Sequence, residues 1–369
     1  MNYDFAIVGA GMAGASLAAE LAPAGSLLMV EAEDVPGYHA TGRSAAFWSE
    51  TYGGPFVQPL TSASHAFLAD PPSDFSDRPF LDRRGALHIA ERSGYSELAR
   101  LGDAFAGSGV GLKPLSGAAI DPHCPGLKSH WDRAIWEPSC ADIDVAGLHQ
   151  AYLAAARRAG AALRCSAAVT VIERADGGWR LRMGHEWVRA AVLINAAGAW
   201  AGEVARLAGA HPIAIVPFRR TVIQLRTDPP APADLPLVID AEGRFYFKSE
   251  NDRLWLSPHD ETPAEPGDVA PDEMDVAIAI DRFEKAMDWR VLAVERKWAG
   301  LRSFAPDRLP VYGFDPVVPG FFWCAGQGGF GIQTAPAGAR LCRSLLLDET
   351  PSAALADIEA NRYAPTRFA

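Results

Sequence analysis

The sequence predicts an α/β protein: a Rossmann-type dinucleotide-binding domain with a sheet-rich domain inserted into it. Three observations carry that expectation. The apolar run YDFAIV at 3–8 leads straight into Gly9-Ala-Gly11-Met-Ala-Gly14, a helix-like stretch, and a second apolar run, SLLMV, that closes on Glu31. A helical pattern after residue 143 is followed by strands that end in INAAGAW. Near the end, FFWCAGQGGFGIQTAPAGARLCRSLLL reads as strand, glycine loop, helix.

The first unit is strand, G-x-G-x-x-G, helix, strand, acid, with Glu31 twenty-two residues after Gly9. Gly9 permits the tight turn, Gly11 the approach of a pyrophosphate to the backbone, and Gly14 close packing of helix on strand. Glu31 can bond ribose hydroxyls. The free N–H groups at the helix N-terminus favour phosphate. Residues 36–55, PGYHATGRSAAFWSETYGGP, are rich in Gly, Ser and Thr and are expected to be loop with a possible central helix. Residues 64–115 mix amphipathic helix with turns. DVAGLHQAYLAAARRAG has apolar positions at helical spacing and stops at Gly160. The strands after it include a hairpin turning at Asp176-Gly177-Gly178. IAIVPFRRTVIQLR, RFYFKS and RLWLSP read as longer antiparallel strands, with Pro-rich linkers near 229–236 and 262–271 and a helix around 272–286. The nucleotide domain is expected at 1–48, 135–214 and 297–369, and the substrate domain at 49–134 and 215–296.

The chain has 369 residues, 49% of them hydrophobic and 21% charged, with net charge −11. That balance excludes binding of nucleic acid or an anionic membrane through charge. The cysteines, Cys124, Cys140, Cys165, Cys324 and Cys342, are scattered without C-x-x-C or zinc-ligand spacing. Buried thiols in a reducing cytoplasm, and no metal, are the expectation. A strand beginning at residue 3 leaves no room for a signal peptide. No apolar run approaches the ~20 residues of a membrane span.

Three loops point to FAD rather than NAD. The long small-residue loop after Glu31 suits a cofactor that extends past the first βαβ unit. INAAGAWAGEVA at 194–205 brings another small-residue backbone near it. GQGGFGIQTAP at 326–336 heads a helix whose N–H groups can face the ribityl chain or flavin. The residues assigned to FAD are Gly9, Gly11, Ala13, Gly14, Glu31 and Ala32; Thr41, Gly42, Arg43, Ser44, Ala45 and Ala46; Val169, Ala197 and Gly198; and Gly328, Gly329, Gly331, Ile332, Gln333 and Thr334.

PGYHATGRSAA (36–46), ADIDVAGLHQAYL (141–153), AAVLINAAGAW (190–200), WAGLRSF (298–304) and QGGFGIQT (327–334) resemble the D-amino-acid oxidase superfamily, and more narrowly the bacterial FAD-dependent D-arginine dehydrogenases. The resemblance implies a two-domain flavoenzyme that converts a D-amino acid to an imino acid, which hydrolyses to a 2-oxo acid and ammonia. It implies an amino-acid substrate and an electron acceptor, quinone or oxygen, that the sequence leaves open. A secondary amine such as sarcosine, or a 2-hydroxy acid, fits the same fold. Arg302 is expected to clamp the substrate carboxylate, because a planar guanidinium matches it bidentately. The resemblance adds Arg220, Tyr246 and Tyr52 as substrate contacts, and the Gly329 carbonyl as acceptor for the amine. Two positions depart from the D-arginine enzymes: Ala86 stands where they have the glutamate that holds a guanidinium, and Phe47 where they have a histidine. Glu50 is a candidate replacement for that charge. His39 sits where a related branch carries FAD covalently, but the flanking YHATGRSAA resembles the non-covalent branch.

Overall fold

The computed structural model describes residues 2–369. Strand β1 (Asn2–Val8), helix α1 (Met12–Leu21) and strand β2 (Leu27–Val30) form the opening unit, with the two strands parallel. Phe5, Ile7, Leu27 and Met29 enter one core, and Ala6, Val8, Leu28 and Val30 another. Alternate residues of a strand face opposite sides, so a sheet covered on both faces is apolar throughout.

This unit lies in an eight-stranded sheet. Its parallel part runs Ala162–Arg164, β2, β1, Glu186–Asn195, Phe321–Ala325. Val169–Ala175 and Gly178–Met183 form the expected hairpin, which joins Glu186–Asn195 ahead of Phe321–Ala325 on the side away from β1, and Val311–Phe314 runs antiparallel to Phe321–Ala325. Helix Val145–Arg158 packs beside α1, its N-terminus capped by the Asp144 carboxylate on the Gly147 N–H.

The second sheet has nine strands. Arg290–Phe304 and Val216–Asp228 are its long antiparallel pair, followed by Arg253–Ser257, Tyr246–Glu250, Leu237–Asp240, Ala86–Ala90, Arg133–Glu137 and Lys113–Ser116. Helix Glu273–Ala286 buries Val276, Ala279 and Phe283 against this sheet. The boundaries expected at 134/135 and 296/297 fall inside Arg133–Glu137 and Arg290–Phe304. Dividing a strand between units would break its ladder, so we propose boundaries that follow sheet membership.

The possible helix at the centre of 36–55 is absent; turns lead into the short strand Phe47–Trp48. Tertiary contacts hold the backbone there: Trp298 Nε1 donates to the Arg43 carbonyl, and Arg43 Nη1 reaches the Ala299 carbonyl at 3.3 Å.

Candidate active site

The glycine turn after β1 is closed by packing. Gly9 has φ +102°, and a Cβ there would lie 2.4 Å from the Ala196 carbonyl oxygen. A Cβ on Gly14 would lie 1.9 Å from the Gly9 carbonyl oxygen, so the helix meets the turn only because both lack side chains. Glu31 Oε2 accepts from Ala10 N at 2.9 Å, and Oε1 from Glu33 N at 3.1 Å. Each oxygen keeps a second lone pair for a ribose hydroxyl. His149 Nε2 donates to the Ala10 carbonyl at 2.9 Å from below. Burial lowers the His149 pKa, against the opposing pull of that bond and of Glu31. Thr41 Oγ1 accepts the Met12 N–H at 3.0 Å, which docks the 36–46 loop on the N-terminus of α1.

One cavity of about 640 Å³ joins both sheets. Gly9, Gly11, Ala13, Glu31 and Ala32 line it, as do Thr41, Arg43, Ser44 and Ala45. Val169, Ala197, Gly198, Gly328, Gly329, Gly331 and Ile332 complete the expected set on its wall. Five residues expected at the cofactor are not brought there. Gly14 is spent on packing, and Gly42 closes a turn by donating to the Gly37 carbonyl. Ala46 packs on the core beside α1. Thr334 is fully buried and donates to the Phe330 carbonyl at 2.8 Å. Gln333 is 1% exposed and turned toward Ser49, Tyr52 and Thr61.

Arg220 and Arg302 line the same cavity from adjacent strands, where Arg220 is opposite Gly300 and Arg302 opposite Phe218. Strand alternation separates Arg219 from Arg220: Arg219 turns to Asp260 and Asp275, while Arg220 is buried. Arg302 Nη1 donates to Tyr52 Oη at 2.7 Å. Arg220 Nε donates to the Asp260 carbonyl at 2.8 Å and Nη2 to Glu261 Oε1 at 3.0 Å. Its Nη1 is buried without a partner, and so is Tyr246 Oη. Burial and the Arg302 charge lower the Arg220 pKa. At Arg302 burial works the same way but is outweighed by Tyr52 and Tyr246. Burial would raise the Tyr246 phenol; Arg302 and Arg220 outweigh it and bring the phenol below its ordinary value. The carboxylate paired with buried Arg220, Glu261, is also held by Arg308, and half-buried Arg302 bonds the Tyr52 phenol instead. Such an excess of buried positive charge calls for an anionic ligand.

Beside this cluster Phe47, Ala86, Cys140, Leu237 and Tyr246 form an apolar group that Tyr52 packs against. Glu50 does not reach the cavity wall; its oxygens accept from Ser62 Oγ at 2.6 Å and Ser139 Oγ at 3.1 Å. His39 lines the cavity with Nε2 2.8 Å from Glu33 Oε1 and its ring against Trp200.

The sequence reading missed His259 and Glu261, which lie in PHDET at the edge of an expected linker. His259 stands edge-on to the Tyr246 ring, with Nδ1 2.9 Å from the Gly243 carbonyl oxygen. Burial, then Arg220 and Arg302, push its pKa down to about 3. Also missed was Glu137, a fully buried carboxylate. A polar residue that ends a strand is the one signal that marked it.

The cavity fits a dinucleotide longer than one βαβ unit needs. Two glycine loops and the Ala197-Gly198 backbone present small residues along it, and Glu31 retains acceptor capacity. The family described as FAD dependent oxidoreductase, DAO, matches residues 4–345. Glycine oxidase from Pseudomonas aeruginosa is 27% identical over 394 residues, covering 99% of each chain. Mitochondrial dimethylglycine dehydrogenase from Mus musculus is 30% identical over 253 residues, 62% of this chain and 28% of that enzyme, so the match spans less than a third of that relative. L-proline dehydrogenase from P. horikoshii has a TM-score of 0.85 at 20% identity, covering 100% of this chain and 98% of the other. Glycine oxidase from Geobacillus kaustophilus has a TM-score of 0.83 at 24% identity, covering 98% and 99%. These two likenesses establish the fold, and the family match runs over most of the sequence: the chain belongs to the DAO family of FAD-dependent oxidoreductases.

Proposed function

We propose that the chain oxidises the Cα–N bond of a small D-amino acid with an uncharged side chain. The observation that carries this reading is the pair of guanidiniums on the cofactor cavity, Arg220 buried with Nη1 unpartnered and Arg302 half-buried beside it. A carboxylate placed there takes charge-assisted bonds from Arg302 and Arg220. The Gly329 carbonyl accepts from the amine, a role that protonation cannot remove. Tyr52 and Tyr246 flank the carboxylate. When bound, FAD supplies the two-electron acceptor. The residues around it orient the substrate and hold its charge, and the imino acid released hydrolyses in water to a 2-oxo acid and ammonia.

The resemblance to D-arginine dehydrogenases extends to the carboxylate clamp but not to the side-chain wall. Ala86 and Phe47 supply no partner for a guanidinium, and Glu50 is held by Ser62 and Ser139. A cationic side chain would bear its desolvation cost alone. A second reading, oxidation of an N-methylated glycine, is favoured by the likeness to dimethylglycine dehydrogenase and glycine oxidase.

The test is steady-state kcat/KM for D-alanine, D-methionine, D-arginine, L-enantiomers, glycine and sarcosine with an artificial acceptor. It uses protein that purifies yellow and releases its flavin on denaturation. Uncharged D-amino acids should be oxidised at least as well as D-arginine, and Ala86→Glu should shift preference toward D-arginine and D-lysine. A wild-type preference for D-arginine above about tenfold would sink this substrate class. A preference for sarcosine would select the second reading.

A further inference from the structure

Residues 49–52 open the connection from the Phe47–Trp48 strand to the helix beginning at Gln58, and they carry Tyr52. This four-residue turn is gripped from two sides. On the side of the nine-stranded sheet stands Glu137, 0% exposed at the end of Arg133–Glu137. Its Oε2 accepts from Ser49 Oγ at 3.0 Å and from Thr51 Oγ1 at 2.7 Å. Its Oε1 accepts from the Glu50 N–H at 2.8 Å. His88 Nε2 lies 3.3 Å from both Thr51 Oγ1 and Glu137 Oε2. On the side of the nucleotide sheet stands Gln333, just before the helix Ala335–Leu347. Its Oε1 accepts from Ser49 N at 3.2 Å. Its Nε2 donates to the Ser49 carbonyl at 3.2 Å, the Tyr52 carbonyl at 3.2 Å and Thr61 Oγ1 at 2.8 Å. Beside the turn's own Tyr52 N to Ser49 carbonyl bond, the bonds from Glu137 and Gln333 come from groups remote in sequence.

The beneficiary is the Tyr52 phenol. Its Oη accepts from Arg302 Nη1, and it lies 2.0 Å from where a Cβ on Gly329 would stand. Those two neighbours leave it almost no room to shift. A displacement of the turn by a few tenths of an ångström would break the bond to Arg302 or press on Gly329. Two side chains that do not line the cavity therefore fix the geometry of Tyr52, which bonds Arg302 on the cavity wall.

We propose that Glu137 and Gln333 are positioning residues, which hold Tyr52 against Arg302 and thereby set the orientation of the carboxylate clamp. A carboxylate suits position 137: its two oxygens accept from three donors of one turn, and a carboxylate offers about four acceptor sites. The amide of glutamine offers acceptors on one oxygen only, so with Oε1 on Glu50 N the two hydroxyls would have to turn from donors into acceptors of its N–H₂. Gln333 in turn offers the acceptor and the donors in one planar group, which matches the Ser49 N–H and the two carbonyls.

The inference rests on the placement of Arg302 in the substrate site and not on which amine is oxidised. Its test is a double-mutant cycle on holoenzyme, with acetate as the carboxylate probe and its Kd read from the perturbation of flavin absorbance. Arg302→Ala is the control on the site itself. Unchanged acetate binding in that variant overturns the clamp and this inference with it. With the clamp established, Glu137→Gln should weaken acetate about five- to tenfold in the wild-type background and less than about twofold in the Tyr52→Phe background. Flavin content should stay the same. Equal losses in both backgrounds would mean that Glu137 merely supports the fold, and that overturns the proposal. Should Glu137→Gln not fold, Thr51→Val removes one bond of the same set with nearly the same shape. It should show the same dependence on Tyr52, and its absence counts equally against the proposal.

Discussion

Arg302 concentrates the functional reading in one side chain. It is half-buried, it donates to the Tyr52 phenol, and the like charge of Arg220 stands beside it. Nothing in the fold is gained by placing two guanidiniums so close, which is why the pair points to an anion. Arg302→Ala should cut kcat/KM by about two orders of magnitude or more while flavin stays bound. Arg302→Lys should recover only part of that, because an ammonium lacks the bidentate fork. Near wild-type kcat/KM in Arg302→Ala would misplace the site. At this scale the sequence was informative where chemistry and motif coincide. WAGLRSF marked Arg302, and the resemblance singled out Arg220. His259, Glu261 and Glu137 carried no such mark. Their roles come from partners far along the chain, such as Ser49, eighty-eight residues from Glu137. Gln333 was assigned to the cofactor because it sits in the late glycine loop; its amide points the other way. Position in a motif fixed the neighbourhood, and packing decided the direction.

At the scale of elements, the late glycine loop and the 49–52 turn form one device. The strand Phe321–Ala325 ends in this loop, whose Gly328 N donates to the Ser303 carbonyl at 2.9 Å. That bond ties it to the strand that carries Arg302. Gly329 then passes so close to Tyr52 that an added Cβ would meet Oη at 2.0 Å and Arg302 Nη1 at 3.1 Å. Gly329→Ala should therefore push the phenol off Arg302 and lower kcat/KM by about tenfold or more. Tyr52→Phe removes the clashing oxygen. In that background Gly329→Ala should cost less than it does in the wild type, a less-than-additive loss that reports the contact. Additive losses would place Gly329 and Tyr52 farther apart than this geometry has them. The opening strand and the helix after Asp144 were legible because their patterns are local: an unbroken apolar run in YDFAIV, helical spacing in the stretch after Asp144. Ala86–Ala90 and Lys113–Ser116 were not, lying in a stretch that reads as amphipathic helix and turns. The expected boundaries at 134/135 and 296/297 were also less legible. Composition cannot tell which sheet a strand joins, and Arg290–Phe304 declares its membership only by pairing with Val216–Asp228.

Across the whole molecule, burying histidines, one of them beside two arginines, gives the fold a predictable weakness in acid. In the unfolded chain a histidine takes a proton below about pH 6.5. Folded His259 resists that proton down to about pH 3, because burial and the charges of Arg220 and Arg302 oppose it. Folded His149 is also lowered, by burial beneath the glycine turn. The unfolded state therefore binds more protons throughout this range, and linkage makes stability fall as the pH falls. The contribution is complete above about pH 6.5 and is lost at up to about 1.4 kcal/mol per pH unit for each such histidine. Glu137 adds to the loss lower down. Hydrogen bonds from its partners hold its pKa below the usual value despite burial, so its stabilisation is present above the ordinary carboxylate range and disappears as pH falls through the folded value. The denaturation midpoint should drop between pH 7 and pH 5. His259→Asn keeps an amide that can donate to the Gly243 carbonyl and tolerates the left-handed backbone there, φ +57°. It should flatten the slope by roughly one proton. Because the two arginines are part of the cause, a saturating carboxylate ligand should offset their charge, ease the suppression of His259 and flatten the slope as well. A slope untouched by either His259→Asn or ligand would assign the acid sensitivity to His149 and Glu137, and would separate His259 from the arginine pair.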